Sequence, residues 1–279
     1  MGRKLIGIDL DGTTLNGDGL VSERTRRILQ EVQNQGHIVS IITGRPARLS
    51  TNIYDELGLK SPMINFNGSL GHKPHQHWDK EYSMQISREV AFDLLEISPQ
   101  LNIDRVIAEN KHDVWVSPDI NPGNLTNDES LFFPKAEDEQ KMLNRLALQT
   151  DINAILLQAA DPLHQAQIQR FVKERYGEDN VEIRTWGGNS PVLEVAPAGV
   201  SKTTGLDFLR QAYGIQKDDI YAFGDEMNDV EMIDWATHGI VMANGNPALK
   251  VFSDDVTDLP NTEDGMARYI AKMLDIHID

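Results

Sequence analysis

The chain has 279 residues, 40% of them hydrophobic and 25% charged, which are ordinary values for a soluble globular protein with one large domain or two smaller ones. It contains no cysteine, which excludes disulfides, thiol catalysis and thiolate metal sites. Its net charge of −17 argues against nucleic-acid and anionic-membrane partners, and would repel a phosphorylated substrate unless a bound cation reversed the local field.

The first part of the chain alternates apolar strands with amphipathic helices. A strand over Leu5 to Ile8 is followed by a helix over 22–36 and by the strand "HIVSIITGR", 37–45. A helix over 46–57 then leads to a third strand, "PMINFNGS", 62–69. Strands that alternate with helices predict a parallel sheet covered on both faces.

The pattern changes near residue 80, where helices and strands follow one another without regular alternation. The predicted elements are a helix over 86–98, a hairpin around Asn110–Lys111, a helix over 137–149, a strand over 153–160, a helix over 162–177 and a strand pair over 181–197. This mixture predicts a separate α+β domain.

The alternating pattern resumes at about residue 200. A helix over 201–214 precedes the apolar strand "DIYAFGDEMND", 219–229, and further short elements lead to a terminal helix over 263–274. We therefore predict an α/β fold, a Rossmann-like doubly wound parallel sheet with an inserted α+β domain. The expected domains are 1–82 and 191–279 for the parallel-sheet core, with 83–190 as the insertion.

No targeting or membrane segment is expected. Asp9 interrupts the first apolar run after only four residues, which argues against a signal peptide. No apolar stretch approaches the roughly 18 residues that a membrane span requires. A cytoplasmic location is the simplest expectation, and the oligomeric state is open.

Three apolar strands end in reactive polar groups. They stop at Asp9-Leu10-Asp11, at Thr43-Gly44-Arg45 and at Gly224-Asp225-Glu226. In open α/β sheets, ligands bind at the carboxyl ends of the strands, and parallel strands bring these ends to one rim. The sequence therefore predicts that Asp9, Asp11, Asp225 and Thr43 lie together.

Carboxylates gathered in this way repel one another unless one is protonated or a metal lies among them. A set of oxygen ligands without histidine or cysteine suits Mg²⁺ rather than zinc. Mg²⁺ beside aspartates at a strand end fits phosphate chemistry, because a phosphoryl oxygen can complete the metal shell and lose its charge to the metal.

The same residue types predict how phosphate would be transferred. An aspartate such as Asp9 can attack phosphorus to form an acyl-phosphate, and Asp11, two residues along an extended segment, can donate and accept protons. Thr43 offers a hydroxyl and Gly44 an unobstructed amide to phosphoryl oxygens. Lys202, in the first turn of a predicted helix, offers a point charge.

Four short segments, in order, resemble the motifs of the haloacid dehalogenase superfamily: "DLDGT" at 9–13, "TGR" at 43–45, Lys202 and "GDEMND" at 224–229. "NFNGS", "LEVAPAGVSK" and "EDGMARYI" further resemble the Cof-type phosphatases, whose α/β cap of type IIB is inserted between the second and third motifs. The resemblance covers essentially the whole chain.

The resemblance implies a role for each matching residue. Asp9 matches the nucleophile and a metal ligand, and Asp11 matches the general acid/base, with its backbone carbonyl as a metal ligand. Asp225 matches the acidic Mg²⁺ ligand, while Asn228 and Asp229 match groups that orient the metal shell. The phosphate-binding groups implied are the Thr43 hydroxyl, the Leu10 and Gly44 amides and Lys202. The segment "VMANGNPALK" is longer than the family pattern, so the roles of Asn244 and Asn246 stay open.

The resulting hypothesis is a Mg²⁺-dependent phosphatase of a small phosphorylated metabolite, either a sugar phosphate or a phosphorylated cofactor, with a cap that closes over the site and selects the substrate. A phosphotransferase or mutase using the same aspartate is the first alternative. A non-catalytic phospho-acceptor switch is the second, and Asp11 argues against it because a general acid/base promotes turnover. A plain strand-to-turn junction at 9–12 is disfavoured by the company of the other motifs.

Two further groups allow two interpretations. The histidines of "HKPHQHW", 72–78, could bind a metal, although a solvated turn is the simpler interpretation. Trp115, Trp186 and Phe133 could line a substrate pocket in the inserted domain, although ordinary packing is the simpler interpretation for each.

Overall fold

A computed structural model describes residues 2–118, 125–134, 141–186 and 189–277. Its strands are β1 (Leu5–Ile8), β2 (Ile38–Ile41), β3 (Met63–Asn65), β4 (Leu70–His72), β5 (Tyr82–Ser83), β6 (Ile103–Glu109), β7 (Val114–Val116), β8 (Lys141–Met142), β9 (Ala154–Ala159), β10 (Val181–Thr185), β11 (Val192–Pro197), β12 (Ile220–Gly224), β13 (His238–Val241) and β14 (Asp255–Val256). Its helices are α1 (Glu23–Asn34), α2 (Ala47–Leu57), α3 (Arg88–Leu101), α4 (Asn127–Phe132), α5 (Gln165–Tyr176), α6 (Lys202–Tyr213), α7 (Val230–Trp235) and α8 (Gly265–Leu274).

The chain divides into two compact units. The core unit comprises the residues up to Arg45, Ser50–Tyr82 and the residues from Ser201 onward, and the inserted unit comprises Pro46–Leu49 and Ser83–Val200. The expected boundary between residues 190 and 191 precedes β11, whereas the units divide after Val200. The difference has a simple cause: β11 pairs with β9 and β10 inside the sheet of the inserted unit.

The core unit is built on a five-stranded sheet in the order β14-β13-β12-β1-β2, with every neighbouring pair parallel. Ile6 and Ile8 of β1 belong to an apolar cluster with α1 and α8. Leu5 of the same strand belongs to a second cluster, with α6 and α7. Helices therefore cover both faces, and the predicted doubly wound parallel sheet is confirmed. The predicted third strand over 62–69 instead forms β3 and β4, which pair antiparallel in a separate three-stranded sheet with β5.

Strand β1 lies in the middle of this sheet and fixes where its polar end emerges. Leu5, Ile6 and Ile8 are fully buried, and burying such a side chain stabilises a fold by about 1.5–3 kcal/mol. Ile8 lies beside Ile41 of β2 and Phe223 of β12 in the sheet register. The residues that follow these three therefore leave the sheet at the same rim, which positions the site described below.

The inserted unit has a six-stranded sheet in the order β10-β11-β9-β6-β7-β8. Its pairs are antiparallel, except that β7 and β8 run parallel. Helices α3 and α5 contribute to one large apolar cluster with this sheet. A smaller apolar cluster contains Ile107, Val116, Phe133, Leu156 and Val192. The expected hairpin around Asn110–Lys111 is confirmed as β6 and β7.

The predicted helix over 137–149 is wrong for residues 141–149. Lys141 and Met142 form β8 and lie beside Trp115 and Val116 of β7, and turns follow. The Leu143 amide then donates to the Val116 carbonyl at 2.9 Å. Pairing with β7 therefore outweighs the local helix propensity. Residues 137–140 of that prediction lie outside the described residues.

Across the described ranges, the helices are too short and too polar for any of them to cross a membrane.

Candidate active site

A sharp turn after β1 brings two loops together. The chain turns over Leu10–Thr14, and Gly12 has a φ of +68°, which favours glycine. A Cβ atom at Gly12 would lie 2.1 Å from Oδ2 of Asp225, in the loop after β12. Glycine at this position therefore lets the β1 and β12 loops touch.

Three carboxylates meet at this contact. Asp9, Asp225 and Asp229 each offer a carboxylate oxygen, and these oxygens lie within 4.8 Å of one another. Asp9 is only 5% exposed and Asp229 is fully buried. The Thr13 hydroxyl donates to Oδ1 of Asp225 at 3.1 Å. The predicted convergence of Asp9 and Asp225 thus occurs in the structure, with Asp229 as a third member.

Lys202 provides an ammonium group to this cluster. Its Nζ donates to Oδ1 of Asp9 and to Oδ1 of Asp229, both at 2.6 Å. The side chain is 1% exposed and begins helix α6. Burial alone would lower the pKa of Lys202, but the carboxylates of Asp229 and Asp9 raise it above its usual value. Lys202 is therefore charged.

The pKa values of Asp9 and Asp225 are raised, and a bound cation would lower them again. Burial raises the pKa of Asp9 well above its usual range, Lys202 opposes this, and the carboxylates of Asp229, Asp225 and Asp11 add to it. Burial, reinforced by Asp229, raises the pKa of Asp225 to about 7. Three carboxylates beside one ammonium leave two negative charges when all are ionised, so this oxygen-only set fits Mg²⁺.

Asp229 also shapes the loop that carries Asp225. Its Oδ2 accepts hydrogen bonds from the backbone amides of Asp225 at 3.0 Å and Glu226 at 3.2 Å, while its Oδ1 accepts from Lys202. Its neighbour Asn228 donates from Nδ2 to Oδ1 of Asn67 at 3.2 Å. The bonds to Asp229 hold the backbone from which the Asp225 side chain projects, which is what a supporting role requires.

The Asp11 side chain lies apart from the cluster of three carboxylates. It is 57% exposed and pairs with the Arg45 guanidinium through both of its oxygens, at 2.8 Å from Nε to Oδ2 and 2.5 Å from Nη2 to Oδ1. A two-point pair of this kind fixes direction as well as distance. Arg45 therefore orients the carboxylate that was predicted to move protons.

Thr43 and Gly44 form a tight loop against Asn67. Thr43 is 1% exposed, and its hydroxyl oxygen accepts from the Arg45 amide at 3.1 Å. Asn67 has a φ of +51°, and its backbone N–H donates to the Thr43 carbonyl at 3.0 Å. A Cβ atom at Gly44 would lie 3.1 Å from Oδ1 of Asn67. Leu10, whose backbone amide was also predicted to bind phosphate, follows Asp9 in the sequence, and its side chain is fully buried.

Sequence reasoning assigned no role to Arg45 or Asn67 and left Asn244 and Asn246 open. The Asn244 side chain donates from Nδ2 to the Gly12 carbonyl at 2.8 Å. The backbone N–H of Asn246 donates to the Asp225 carbonyl at 2.7 Å. Both asparagines therefore support the two loops that carry the acids. The adjacent "TGR" and "NFNGS" segments were the available signals for Arg45 and Asn67.

The histidines near residue 75 do not form a cluster. His72 is buried in β4, with Nε2 at 2.9 Å from Oδ1 of Asn65, so the solvated-turn interpretation is wrong for it. His75 and His77 are exposed, and Nε2 of His75 lies 2.9 Å from Oδ1 of Asp55. Among the residues that the structure describes, only the aspartates above form a candidate metal group.

Adding Mg²⁺ should raise the melting temperature of the purified protein. A ligand at 100 times its dissociation constant stabilises the folded state by about 2.7 kcal/mol, which corresponds to several degrees for a chain of this size. Asp225→Asn should melt higher than wild type without Mg²⁺, because one repelling carboxylate is gone, and should respond less to Mg²⁺. Differential scanning fluorimetry at constant ionic strength tests both; a wild-type curve indifferent to Mg²⁺ would refute the prediction.

Arg45→Ala should lower kcat by about 10-fold to 100-fold, because the Asp11 carboxylate, which was predicted to move protons, loses the partner that directs it. The ion pair itself contributes only about 0–1 kcal/mol, since Asp11 is 57% exposed, but some stability should also be lost through packing, because the Arg45 side chain is only 11% exposed. Arg45→Lys keeps the charge without the two-point geometry and should be intermediate. Steady-state kinetics with p-nitrophenyl phosphate and urea unfolding measure the two effects, and an unchanged kcat would argue against an orienting role.

The chain is similar to several known proteins. Residues 6–270 match a family described as haloacid dehalogenase-like hydrolase. The chain is 33% identical to the 5-amino-6-(5-phospho-D-ribitylamino)uracil phosphatase YitU of Bacillus subtilis, over 95% of this chain and 96% of that protein. A haloacid dehalogenase-like hydrolase from Bacteroides thetaiotaomicron has a TM-score of 0.81 at 23% identity, covering 98% of this chain and 100% of that one. A subclass IIB sugar phosphatase has a TM-score of 0.76 at 19% identity, covering 99% and 100%.

Proposed function

The chain belongs to the haloacid dehalogenase-like hydrolases, and from that premise we propose that it is a Mg²⁺-dependent phosphatase that acts through a phospho-aspartate on a small phosphorylated metabolite. The resemblance drawn from the four motifs is thereby confirmed, and with the relatives it makes the chain a phosphoric monoester hydrolase. The metal, the intermediate and the substrate are the proposal. The observation that carries it is the meeting of Asp9, Asp225 and Asp229 around Lys202.

Asp9 and Asp225, with the Asp11 carbonyl, would hold the metal, and Asp229 and Asn228 would fix the loop around it. When bound, Mg²⁺ supplies positive charge against the phosphoryl oxygens. The Thr43 hydroxyl, the Leu10 and Gly44 amides and the Lys202 ammonium would bind the remaining oxygens. Lys202 already holds Oδ1 of Asp9 at 2.6 Å, which supports a fixed direction for the attacking carboxylate.

The reaction then has two displacements at phosphorus. In the first, an Asp9 carboxylate oxygen bonds to phosphorus, the bond to the substrate oxygen breaks, and Asp11 gives that oxygen a proton. For this step one Asp11 oxygen leaves Arg45 and carries the proton; the two-point pair with Arg45 holds the ionised form. In the second, water bonds to phosphorus and gives a proton to Asp11. The bond to Asp9 breaks, inorganic phosphate leaves, and both aspartates return to their starting states.

The first candidate substrate is 5-amino-6-(5-phospho-D-ribitylamino)uracil. The support is the 33% identity, across almost the full length of both chains, to a protein named for that activity. A small metabolite also suits a chain of net charge −17, in which the phosphate is held by a local cation and not by a basic surface.

Repeated release of phosphate from p-nitrophenyl phosphate in the presence of Mg²⁺ tests the proposal. Asp9→Asn should lose turnover to the background level, because an amide is a poor nucleophile and a poor metal ligand. Asp18→Asn, an exposed aspartate, is the matched control and should keep wild-type activity. A single stoichiometric release would indicate a phospho-acceptor switch instead. Transfer to an added acceptor sugar in preference to water would indicate a phosphotransferase.

A further inference from the structure

His72 differs from the other residues that the sequence pattern singled out without giving them a role. Trp115 and Phe133 are buried in the apolar clusters of the inserted unit, and Trp186 packs against the smaller of these clusters. Ordinary packing accounts for these three aromatic residues. His72, in the core unit, is 3% exposed and has a polar partner, Oδ1 of Asn65, at 2.9 Å. Apolar packing does not explain this pair, because two polar side chains give up their hydration to form it.

The pair lies across a short hairpin. β3 and β4 pair antiparallel, and Asn65 of β3 lies opposite Leu70 of β4. His72 is two residues further along β4 and therefore shares the face of Leu70, so that its ring reaches the fully buried Asn65 diagonally across the two strands. The register of this hairpin thus sets the distance between the imidazole ring and the amide.

The Asn65 amide has three hydrogen-bonding neighbours. Its Nδ2 donates to the Arg45 carbonyl at 2.8 Å and to the Ser50 hydroxyl oxygen at 2.7 Å, and its Oδ1 faces His72. A carbonyl oxygen can only accept, so the amide nitrogen must be the atom that faces Arg45. The amide oxygen then faces His72, whose Nε2 must carry the hydrogen that this oxygen accepts. The direction of each bond is therefore fixed, from His72 through Asn65 to the Arg45 backbone.

These bonds hold the backbone of Arg45 more than that of Thr43. Thr43 is anchored independently, because its backbone N–H and its carbonyl each form a backbone hydrogen bond of 3.0 Å. The Arg45 carbonyl accepts from Nδ2 of Asn65 at 2.8 Å and from the backbone N–H of Phe66 at the longer distance of 3.3 Å. Loss of the Asn65 amide should therefore loosen Arg45 while the two anchors of Thr43 remain.

The Arg45 side chain extends the connection to Asp11. Its guanidinium binds both oxygens of the Asp11 carboxylate, and the Arg45 side chain is only 11% exposed, so its path is confined. A shift of the Arg45 backbone therefore moves the Asp11 carboxylate as well. A displacement of about 1 Å at a reacting group can lower a rate by about 100-fold.

We propose that Asn65 and His72 are positioning residues for the loop that carries Arg45. Through Arg45 they direct the ionised Asp11 carboxylate toward the water that hydrolyses the phospho-aspartate. This role rests on the proposed phosphatase function and deepens it. Asn65 makes the contact with the Arg45 backbone, and His72 holds the Asn65 amide in the orientation that this contact requires.

Asn65→Leu tests the direct contact, because leucine keeps the branching of the side chain and removes its hydrogen-bonding groups. With p-nitrophenyl phosphate and Mg²⁺, the phospho-enzyme should form at the wild-type rate, since p-nitrophenolate leaves without a proton. Hydrolysis of the phospho-enzyme should slow by about tenfold, because Asp11 is no longer well directed. Rapid quenching followed by intact-protein mass spectrometry measures both rates. kcat/KM, which reports the first displacement alone, should be unchanged.

Adding Asn65→Leu to Arg45→Ala separates positioning from general damage to the fold. Because Asn65 acts through the Arg45 side chain, the double variant should hydrolyse the phospho-enzyme no more slowly than Arg45→Ala alone. Loosened packing would instead slow both displacements, and by the same factor with and without the Arg45 side chain. Asn52→Leu, the same change at an exposed asparagine of α2, should leave both displacements unchanged.

Two substitutions at His72 test the far end of these bonds without changing Asn65. Glutamine can still donate a hydrogen bond to Oδ1 of Asn65 from a similar position, whereas leucine cannot. His72→Gln should therefore hydrolyse the phospho-enzyme at nearly the wild-type rate, and His72→Leu should be slower by about threefold to tenfold. His77→Leu, at an exposed histidine of the same segment, should have no effect.

The proposal is overturned if Asn65→Leu leaves hydrolysis of the phospho-enzyme at the wild-type rate, if it slows hydrolysis equally with and without the Arg45 side chain, or if the two His72 variants behave alike. Wild-type turnover of p-nitrophenyl phosphate tests the phosphatase function by itself. Its absence would overturn both proposals, whereas wild-type turnover without these effects overturns only this one.

Discussion

Lys202→Met is expected to abolish turnover and to destabilise the protein by about 3–5 kcal/mol, the usual cost of leaving a buried charge without its partner. The substitution removes an ammonium that lies 2.6 Å from both Asp9 and Asp229, whose side chains are 7% and 0% exposed. Lys202 is also the group that lowers the pKa of Asp9 against burial. Without it, Asp9 binds a proton more tightly, and a protonated carboxyl is a poor nucleophile.

Urea unfolding and steady-state kinetics measure the two effects. Lys60→Met, which makes the same change at an exposed lysine, should leave both unchanged. Adding Asp9→Asn to Lys202→Met should restore part of the lost stability, because it removes one of the stranded charges, and should restore no activity. Activity retained in Lys202→Met would contradict the assigned role. So would a double variant whose loss of unfolding free energy exceeds the sum of the losses in the two single variants.

Asp11→Asn is expected to lower kcat for p-nitrophenyl phosphate by about 10²-fold to 10⁴-fold, the range for losing a general acid/base. With this substrate, the substitution should slow the second displacement at phosphorus much more than the first. p-Nitrophenolate is a stable anion and leaves without a proton, so phospho-Asp9 still forms. In the proposed mechanism its hydrolysis needs Asp11 to take a proton from water, so the phospho-enzyme should accumulate.

Rapid mixing should therefore show a burst of p-nitrophenolate close to one equivalent of enzyme, followed by slow turnover. Intact-protein mass spectrometry should detect the added phosphoryl group, and the burst should vanish when Asp9→Asn is combined with Asp11→Asn. The exposed Asp18→Asn variant should show neither effect. Normal turnover in Asp11→Asn would remove this residue from the mechanism.

The rim of the parallel sheet could be predicted because it depends on strand order alone. A buried apolar run that ends in acids places those acids at a carboxyl end, and Ile8 and Phe223 are indeed neighbours in the register. Asp9 and Asp225 follow from this rule without knowledge of side-chain directions. The rule does not predict Asp229, because a turn after β12 brings this residue back to the cluster of carboxylates.

Features that depend on side-chain direction or distant pairing could not be predicted. The pair between Asp11 and Arg45 requires both loops to present their side chains on one side, which spacing does not specify. Residues 141–149 have a helical pattern, yet the edge of β7 supplies a partner for Lys141 and Met142. His72 lies in a histidine-rich segment, and only the pairing of β3 with β4 shows where its ring lies.

The core sheet joins segments from opposite ends of the chain, with Leu5 of β1 beside Ile220 of β12, about 215 residues away. Almost all of the inserted unit, by contrast, is the continuous segment Ser83–Val200. Contacts between distant residues delay folding because a long loop must close first. During synthesis, the inserted unit can therefore fold before β12 has left the ribosome, when β1 still lacks this neighbouring strand. The clustered aspartates then come together late, and a truncated chain has its central apolar strand exposed to aggregation.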